Sequence, residues 1–158
     1  IAQVGEGTVH RLWEPLKEKQ NPSSPYGAKF SVPYCIAIGI IDGEAGLRQF
    51  TDSRLKDSEL MNLTSKISYE INPKDEYPKN YSGNIKVFKK NGEILSANQP
   101  SLRGGKKDPL SFKEVYNKFE ANLNFAGIKK NEIKKLSVFV DNIFKEENLK
   151  KLSEINFI

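Results

Sequence analysis

The feature that most constrains the fold is a capped apolar segment in the first third of the chain. Ser31 precedes Val32-Pro33 and a run of almost wholly apolar residues that ends at Gly43. Serine caps helix N-termini, and proline is tolerated in a first helical turn, where its missing N–H is not needed. Glycine is the usual left-handed residue after a helix. The pattern predicts a helix between Ser31 and Gly43 that is buried on most sides.

Other local signals place a small sheet around this helix. Residues 1–21 predict a short strand followed by irregular chain, and Asp57 is placed to cap a second helix. Residues 67–71 alternate between apolar and polar side chains, which is typical of a strand. Asn91-Gly92 separates two further strand-like runs and predicts a hairpin with a type I′ turn.

The sequence pattern becomes typical of helices after Pro109. Ser111 and Glu114 match a capping box, and the helix that they open is predicted to end at Gly127. A further helix is expected from about Asn131, and a last one over 148–155. Segregated strands and helices predict an α+β fold, a small sheet with a hairpin packed with helices, followed by a helical C-terminal tail.

Charge is concentrated in one stretch. The chain carries a net charge of +5, with 25 basic and 20 acidic residues, and residues 79–107 contain seven basic residues against the single acid Glu93. Such a stretch attracts phosphates or carboxylates, although a solvated lysine-rich surface is the plainer alternative. The predicted strands lack an aromatic pair flanked by basic residues, so a nucleic-acid platform is not expected.

Few residues could form a self-contained catalytic centre. The single cysteine, Cys35, excludes an intrachain disulfide and a cysteine-based metal cluster, and its apolar surroundings predict a buried, inert thiol. The single histidine, His10, has no metal-ligand companion nearby. The longest apolar run, 34–41, is too short to span a bilayer. Because the chain begins with Ile1, we expect it to start inside a longer, cytoplasmic product.

The position of Tyr34 fits two alternative roles, one at a substrate site and one in the core. It lies in the first turn of the predicted helix, where backbone N–H groups and the helix dipole favour an anion. There its hydroxyl can donate a hydrogen bond to a substrate carboxylate or supply a proton. The alternative is a core tyrosine whose hydroxyl finds a backbone acceptor.

Three blocks, in this order, resemble the second domain of MmgE/PrpD proteins. They are Phe30-Ser31-Val32-Pro33-Tyr34 with its helix closing at Asp42-Gly43; Tyr77-Pro78 to Val87 with Asn91-Gly92; and Gly104-Gly105 with Asp108-Pro109-Leu110-Ser111 leading into the helix from Phe112. Asp108 departs from the asparagine common there, but both residues cap helices.

The resemblance implies the architecture of the complete protein. That family comprises 2-methylcitrate dehydratases, cis-aconitate decarboxylases and iminodisuccinate epimerases, which use no metal or other cofactor. Residues 1–105 would form an α+β lid, and 106–158 a helical segment packed on an N-terminal helical domain that this chain lacks. The active site would lie in the cleft between the lid and that domain, and the complete protein would be a homodimer.

The resemblance also implies roles for particular residues. Tyr34 is predicted to be catalytic, and Ser31, Lys106 and Lys107 to bind a small polycarboxylate. Dehydration of 2-methylcitrate or a similar acid is the first expectation, with decarboxylation or epimerisation as alternatives, and the chain alone is expected to be inactive. A non-catalytic binding or partner module is the alternative of another class.

Overall fold

The computed structural model describes residues 1–157, which divide into two compact units, 1–110 and 111 onward. The first unit contains every strand found in the described residues. Within that range no helix is long and apolar enough to cross a membrane. The elements are β1 Ala2–Val4, α1 Glu6–Leu12, α2 Leu16–Lys19, α3 Pro25–Ala28, α4 Val32–Asp42, α5 Asp52–Leu55, α6 Ser58–Thr64, β2 Tyr69–Ile71, β3 Gly83–Phe88, β4 Ile94–Gln99, α7 Phe112–Phe125 and α8 Lys130–Asp141.

The sheet is mixed, with the order β2-β1-β3-β4. β1 runs parallel to β2 and antiparallel to β3, and β3 and β4 form an antiparallel hairpin. Helices α1 to α6 all lie in the connection between β1 and β2, because parallel neighbours need a long crossover. The α+β prediction with a helical C-terminal part is therefore confirmed.

The predicted hairpin is present, but its turn is not type I′. Gly92 has φ +84°, whereas no described residue other than glycine has positive φ, so Asn91 does not. The Gly92 N–H donates to the Lys89 carbonyl at 3.1 Å, and the Lys89 N–H donates to the Glu93 carbonyl at 2.9 Å. A type I turn followed by one left-handed glycine makes this three-residue loop.

Helix α4 begins and ends where its capping residues predict. The Ser31 side chain accepts a hydrogen bond from the Tyr34 N–H, and Gly43 is left-handed with φ +71°. Tyr34, Ala37 and Ile38 are fully buried on one face, and α4 packs against α6. Val32 and Ile36 are half-buried against the same core, whereas the last turn, 39–42, is exposed, so the burial predicted on most sides does not extend to the end of the helix. Ile40 is 48% exposed, and a side chain at Gly39 would meet nothing within 4 Å.

The core of the first unit joins the helices to the sheet. Its buried members come from β1, α4, α6 and the segments around them: Ala2, Trp13, Ala28, Tyr34, Ala37, Ile38, Leu60 and Ile67. Trp13 packs against Tyr69, with ring centroids 5.1 Å apart. This core explains why residues 6–19, expected to be irregular, form the short helices α1 and α2, since packing stabilises helices too short to persist alone.

The second unit consists of α7, α8 and two 3-10 turns. The capping box is confirmed: the Ser111 side chain accepts from the Glu114 N–H, and the Glu114 carboxylate accepts from the Ser111 N–H at 2.8 Å. The helix expected over 148–155 is instead a 3-10 turn, Lys150–Glu154. The lid and helical-tail assignments, 1–105 and 106–158, concern the complete protein and stay predictions.

Candidate functional site

Ser31 is a buried cap. Its hydroxyl accepts from the Tyr34 N–H at 3.1 Å and donates to the carbonyl of Lys19, so it ties the start of α4 to the end of α2. Its exposed fraction is zero. Both hydrogen bonds hold the fold together, and substrate binding by this residue stays a prediction.

Tyr34 has the arrangement of a core tyrosine. Its hydroxyl donates to the carbonyl of Gln49 at 2.6 Å, and its ring lies 5.8 Å from that of Phe50. The side chain is completely buried, and this burial raises the pKa of Tyr34, although the Arg54 charge acts in the opposite direction. The phenol is thus a neutral donor to a backbone carbonyl in this structure. Its catalytic role stays a prediction for the complete protein.

Lys106 and Lys107 are exposed at the tip of a tight turn. The Asp108 N–H donates to the Gly105 carbonyl at 3.2 Å, which makes the two lysines the central residues of the turn. The Gly104 N–H donates to the Asp108 carbonyl at 2.7 Å and closes the loop further. Both lysine side chains are exposed, and neither forms an ion pair with another described residue.

Asp108 holds this turn in place. Its carboxylate accepts from the Gln99 amide at 2.7 Å and from the Arg103 guanidinium, which also donates to the Pro109 carbonyl at 3.0 Å. Asp108 does not cap a helix here, because Ser111 is the N-cap of α7, as its capping box predicts. The carboxylate instead fixes the loop that presents the two lysines.

A recess of about 530 Å³ lies beside the turn. It is lined by residues 75–80 and by Lys107. The Asp75 carboxylate accepts from the Tyr77 N–H at 2.9 Å and from the Ser82 hydroxyl at 3.0 Å. Two acidic residues, Asp75 and Glu76, offset Lys79 and Lys107, so the lining of the recess carries no net charge.

An apolar groove of about 240 Å³ adjoins this recess. Its lining comes from β1, α1, α4, the 75–82 loop and β3, and includes Trp13, Val32, Ile36, Tyr77 and Ile85. The groove and the recess share Asp75, Tyr77 and Asn80. Neither is lined by Ser31 or Tyr34. The structure therefore brings Lys106 beside Lys107 and Ser31 beside Tyr34, but does not place the two pairs in one of these cavities.

The groove was not foreseen from the sequence, although two glycines mark it. A Cβ at Gly7 would lie 2.6 Å from the Tyr77 ring, and one at Gly5 would lie 2.5 Å from the Asp75 carboxylate. The spacing Gly5-Glu6-Gly7 thus allows the 75–77 loop to lie against the start of α1.

A comparison with protein families gives this site its context. The model of the MmgE/PrpD C-terminal domain matches residues 1–142. The chain belongs to this family. None of the curated proteins matches the chain significantly. The family expected from the sequence, and the expectation that this is its C-terminal part, are confirmed.

Two further titratable groups of this MmgE/PrpD domain, Glu14 and Cys35, have shifted pKa values that follow from structural contacts. The Tyr69 hydroxyl donates to the Glu14 carboxylate at 2.7 Å and lowers the pKa of Glu14. Burial raises the pKa of the Cys35 thiol to about 11, which keeps it protonated at neutral pH. His10 is exposed on α1, and within residues 1–157 no three His, Cys, Asp or Glu side chains are grouped to hold a metal ion.

Proposed function

We propose that this chain is the C-terminal, lid-type part of a metal-independent cytoplasmic lyase that acts on small polycarboxylates. Dehydration of 2-methylcitrate or a similar hydroxy acid is the first candidate. The observation that carries the proposal is the match of the MmgE/PrpD C-terminal domain over residues 1–142.

The chemistry requires groups that this chain does not assemble. Dehydration removes a proton α to a carboxylate and protonates the departing hydroxyl, while cations and hydrogen-bond donors hold the developing charge. In the described residues, the Tyr34 hydroxyl donates to a backbone carbonyl, and burial raises the pKa of the Cys35 thiol to about 11, so it stays protonated at neutral pH. We therefore assign most of the acid–base groups to the helical domain, with Tyr34 as the contribution predicted for the lid, and the chain by itself is expected to be inactive.

Within the lid, the exposed turn that carries Lys106 and Lys107 is the feature best suited to attract a charged substrate. Lys106 and Lys107 stand side by side on a loop fixed by Asp108 and Arg103. Fixed cations at the mouth of a cleft raise the local concentration of polyanions and the rate at which they associate. The lysines thus steer the substrate toward the cleft.

The reaction type is tested by analysing products. The complete protein, in which this chain is joined to its helical domain, is incubated with 2-methylcitrate, cis-aconitate and iminodisuccinate. Loss of water, loss of carbon dioxide, or inversion without a change of mass distinguishes dehydratase, decarboxylase and epimerase. Dehydration of a hydroxy acid is expected. Turnover by the purified 158-residue chain alone, or no turnover of any polycarboxylate by the complete protein, would overturn the proposal.

Charge reversal tests the steering role. In the complete protein, Lys106→Glu with Lys107→Glu should lower kcat/KM and flatten its dependence on salt, because two cations near the path are inverted. Lys66→Glu, a similarly exposed lysine on the connection between α6 and β2, is the matched control. An unchanged salt dependence would show that the pair is ordinary solvated surface.

Tyr34→Phe separates the two roles of the phenol. A catalytic tyrosine predicts a large loss of kcat in the complete protein, at a temperature where the variant is fully folded. The hydrogen bond to Gln49 alone predicts lower stability, by about 1–2 kcal/mol, and unchanged kcat. Chemical denaturation and kcat, measured on the same preparation, decide between them. A kcat of the Tyr34→Phe variant equal to that of the wild type would show that Tyr34 is only a core residue.

A further inference from the structure

The apolar groove of about 240 Å³ contains one charge. Among the described residues that line it, Asp75 alone is charged, and three aromatic side chains, Trp13, Tyr77 and Tyr81, lie around it. The rings of Tyr77 and Tyr81 stand nearly perpendicular, with their centroids 5.3 Å apart. A largely apolar cavity in which a few polar groups fix the orientation of the occupant is the usual form of a small-molecule site.

The Asp75 carboxylate is held in place but lacks a counter-charge. One oxygen accepts from the Tyr77 N–H at 2.9 Å, and the other accepts from the Ser82 hydroxyl at 3.0 Å. Because an ionised carboxylate has about four acceptor sites, about two remain open. The residue is half-buried and forms no ion pair with another residue in the part of the chain that the structure describes. A partly desolvated charge is stabilised by a partner of opposite sign, so this position favours a cation.

The remaining wall of the groove is an opening in the core of the first unit. Val32, Ile36 and Ile85 pack against the core on one side and line the groove on the other. At about 30 Å³ for each water-sized group, the groove has room for roughly eight non-hydrogen atoms. Its size and lining therefore fit a short alkyl chain.

We propose that the groove binds a small primary alkylammonium ion. The ammonium group donates to the open acceptor sites of Asp75, and the alkyl chain packs on Val32, Ile36 and Ile85. The faces of tyrosine and tryptophan rings attract organic cations, which adds to the preference for this charge. The inference does not depend on the proposed activity, which concerns polyanions at a different surface.

The charges around the groove make this preference specific. Lys79 and Lys107 line the adjoining recess but not the groove, and Glu76 lies in the recess beside them. The whole chain carries a net charge of +5, so non-specific attraction favours anions. A preference for a cation therefore has to come from Asp75 and the rings near it.

Three ligands of equal length and different charge test the proposal on the 158-residue chain. The isotope-labelled protein is titrated at neutral pH with n-heptylammonium, 1-heptanol and heptanoate, and the binding is followed by NMR. Heptylammonium should shift the amide signals of Thr8, Tyr77 and Ser82 and bind about tenfold more tightly than heptanol, with heptanoate weakest. Equal or tighter binding of heptanol or heptanoate, no binding of heptylammonium, or shifts confined to another surface would overturn the proposal.

A matched pair of variants identifies the charge responsible. Asp75→Asn should weaken the binding of heptylammonium by about tenfold, to the level of heptanol. Glu76→Gln removes the same charge from the next residue, which does not line the groove, and should leave the affinity as in the wild type. Equal losses in the two variants would refute the assignment. If Asp75→Asn fails to fold, the comparison of the three ligands on the wild type decides alone.

The length of the alkyl chain distinguishes a small molecule from a lysine side chain of another protein. From butylammonium to heptylammonium, affinity should rise by about twofold to fourfold with each methylene, because each one buries apolar surface in the groove. Butylammonium has the length of a lysine side chain. An affinity that does not increase beyond it would identify a protein lysine as the better occupant and would overturn the proposal.

Discussion

The two units of this chain contain similar helix signals but differ in what their apolar side chains meet. In the first, α4 and α6 pack together around a core that reaches the sheet. In the second, α7 and α8 are equally well formed, yet Phe112 is 74% exposed and Phe144 is 102% exposed. Capping and periodicity therefore specify a helix locally, whereas burial depends on whether a complementary surface is present.

The largest expected loss of stability comes from a substitution in the core of the first unit. Trp13→Ala should lower the free energy of unfolding by about 3–5 kcal/mol, because a fully buried ring that packs on Tyr69 is removed. Phe144→Ala in the second unit should change it by less than about 0.5 kcal/mol, since that ring contacts solvent. Denaturant unfolding followed by circular dichroism measures both. Equal losses in the two variants would remove the distinction between the units.

Removing the N-cap serine of α4 or of α7 compares the two units through a smaller change in stability. Ser31→Ala should destabilise α4 by about 2–3 kcal/mol, because the Tyr34 N–H and the Lys19 carbonyl both lose a partner in a buried place. Ser111→Ala should cost α7 about 1 kcal/mol, because water can replace the lost cap at an exposed site. Amide exchange within each helix reports the local change. A larger loss at Ser111 would contradict the assignment of Ser31 as the buried cap.

The smallest expected effect is on how the stability of the second unit depends on pH. The Lys135 ammonium and then the Asn156 N–H lower the pKa of Glu132 below its ordinary 4.5. The unfolded chain therefore takes up this proton first, and the stability that Glu132 contributes is present above pH 4.5 and lost as the pH falls through the folded pKa. The second unit should accordingly weaken less between about pH 5 and pH 3 in Glu132→Gln than in the wild type.

A control variant isolates that carboxylate. Glu120→Gln removes a half-buried carboxylate of α7 that forms no ion pair with a described residue, and it is the matched control for the loss of one charge in this unit. Thermal unfolding monitored by helix content between acid and neutral pH gives the comparison. Parallel pH profiles for wild type and Glu132→Gln would show that the contact with Lys135 does not affect stability.

The parts of the fold that follow from neighbouring residues were predictable. Ser31, Asp57 and Ser111 cap helices because each cap depends on an N–H only two or three residues away. The position of the hairpin was predicted from Asn91-Gly92, but its turn type was not. The pairing of Lys89 with Glu93 leaves three residues in the loop, and such a loop needs one left-handed residue at its end.

The parts that depend on distant residues were not predictable in the same way. Lys106 and Lys107 could be found together because they are adjacent in sequence. The apolar groove forms where Gly7 meets Tyr77, and no local pattern links positions so far apart. Tyr34 illustrates the same limit, since its hydroxyl acceptor, the Gln49 carbonyl, comes from a turn after its own helix.

Arg54 links the end of α4 to the start of α6 through ion pairs. Its guanidinium donates to both oxygens of Asp42, at 2.9 and 3.0 Å, and also to Asp57, the residue that caps α6. One side chain thus joins the last residue of α4 to the N-cap of α6. Any motion of α4 relative to α6 would have to break these partly exposed ion pairs, so the two helices are expected to move together.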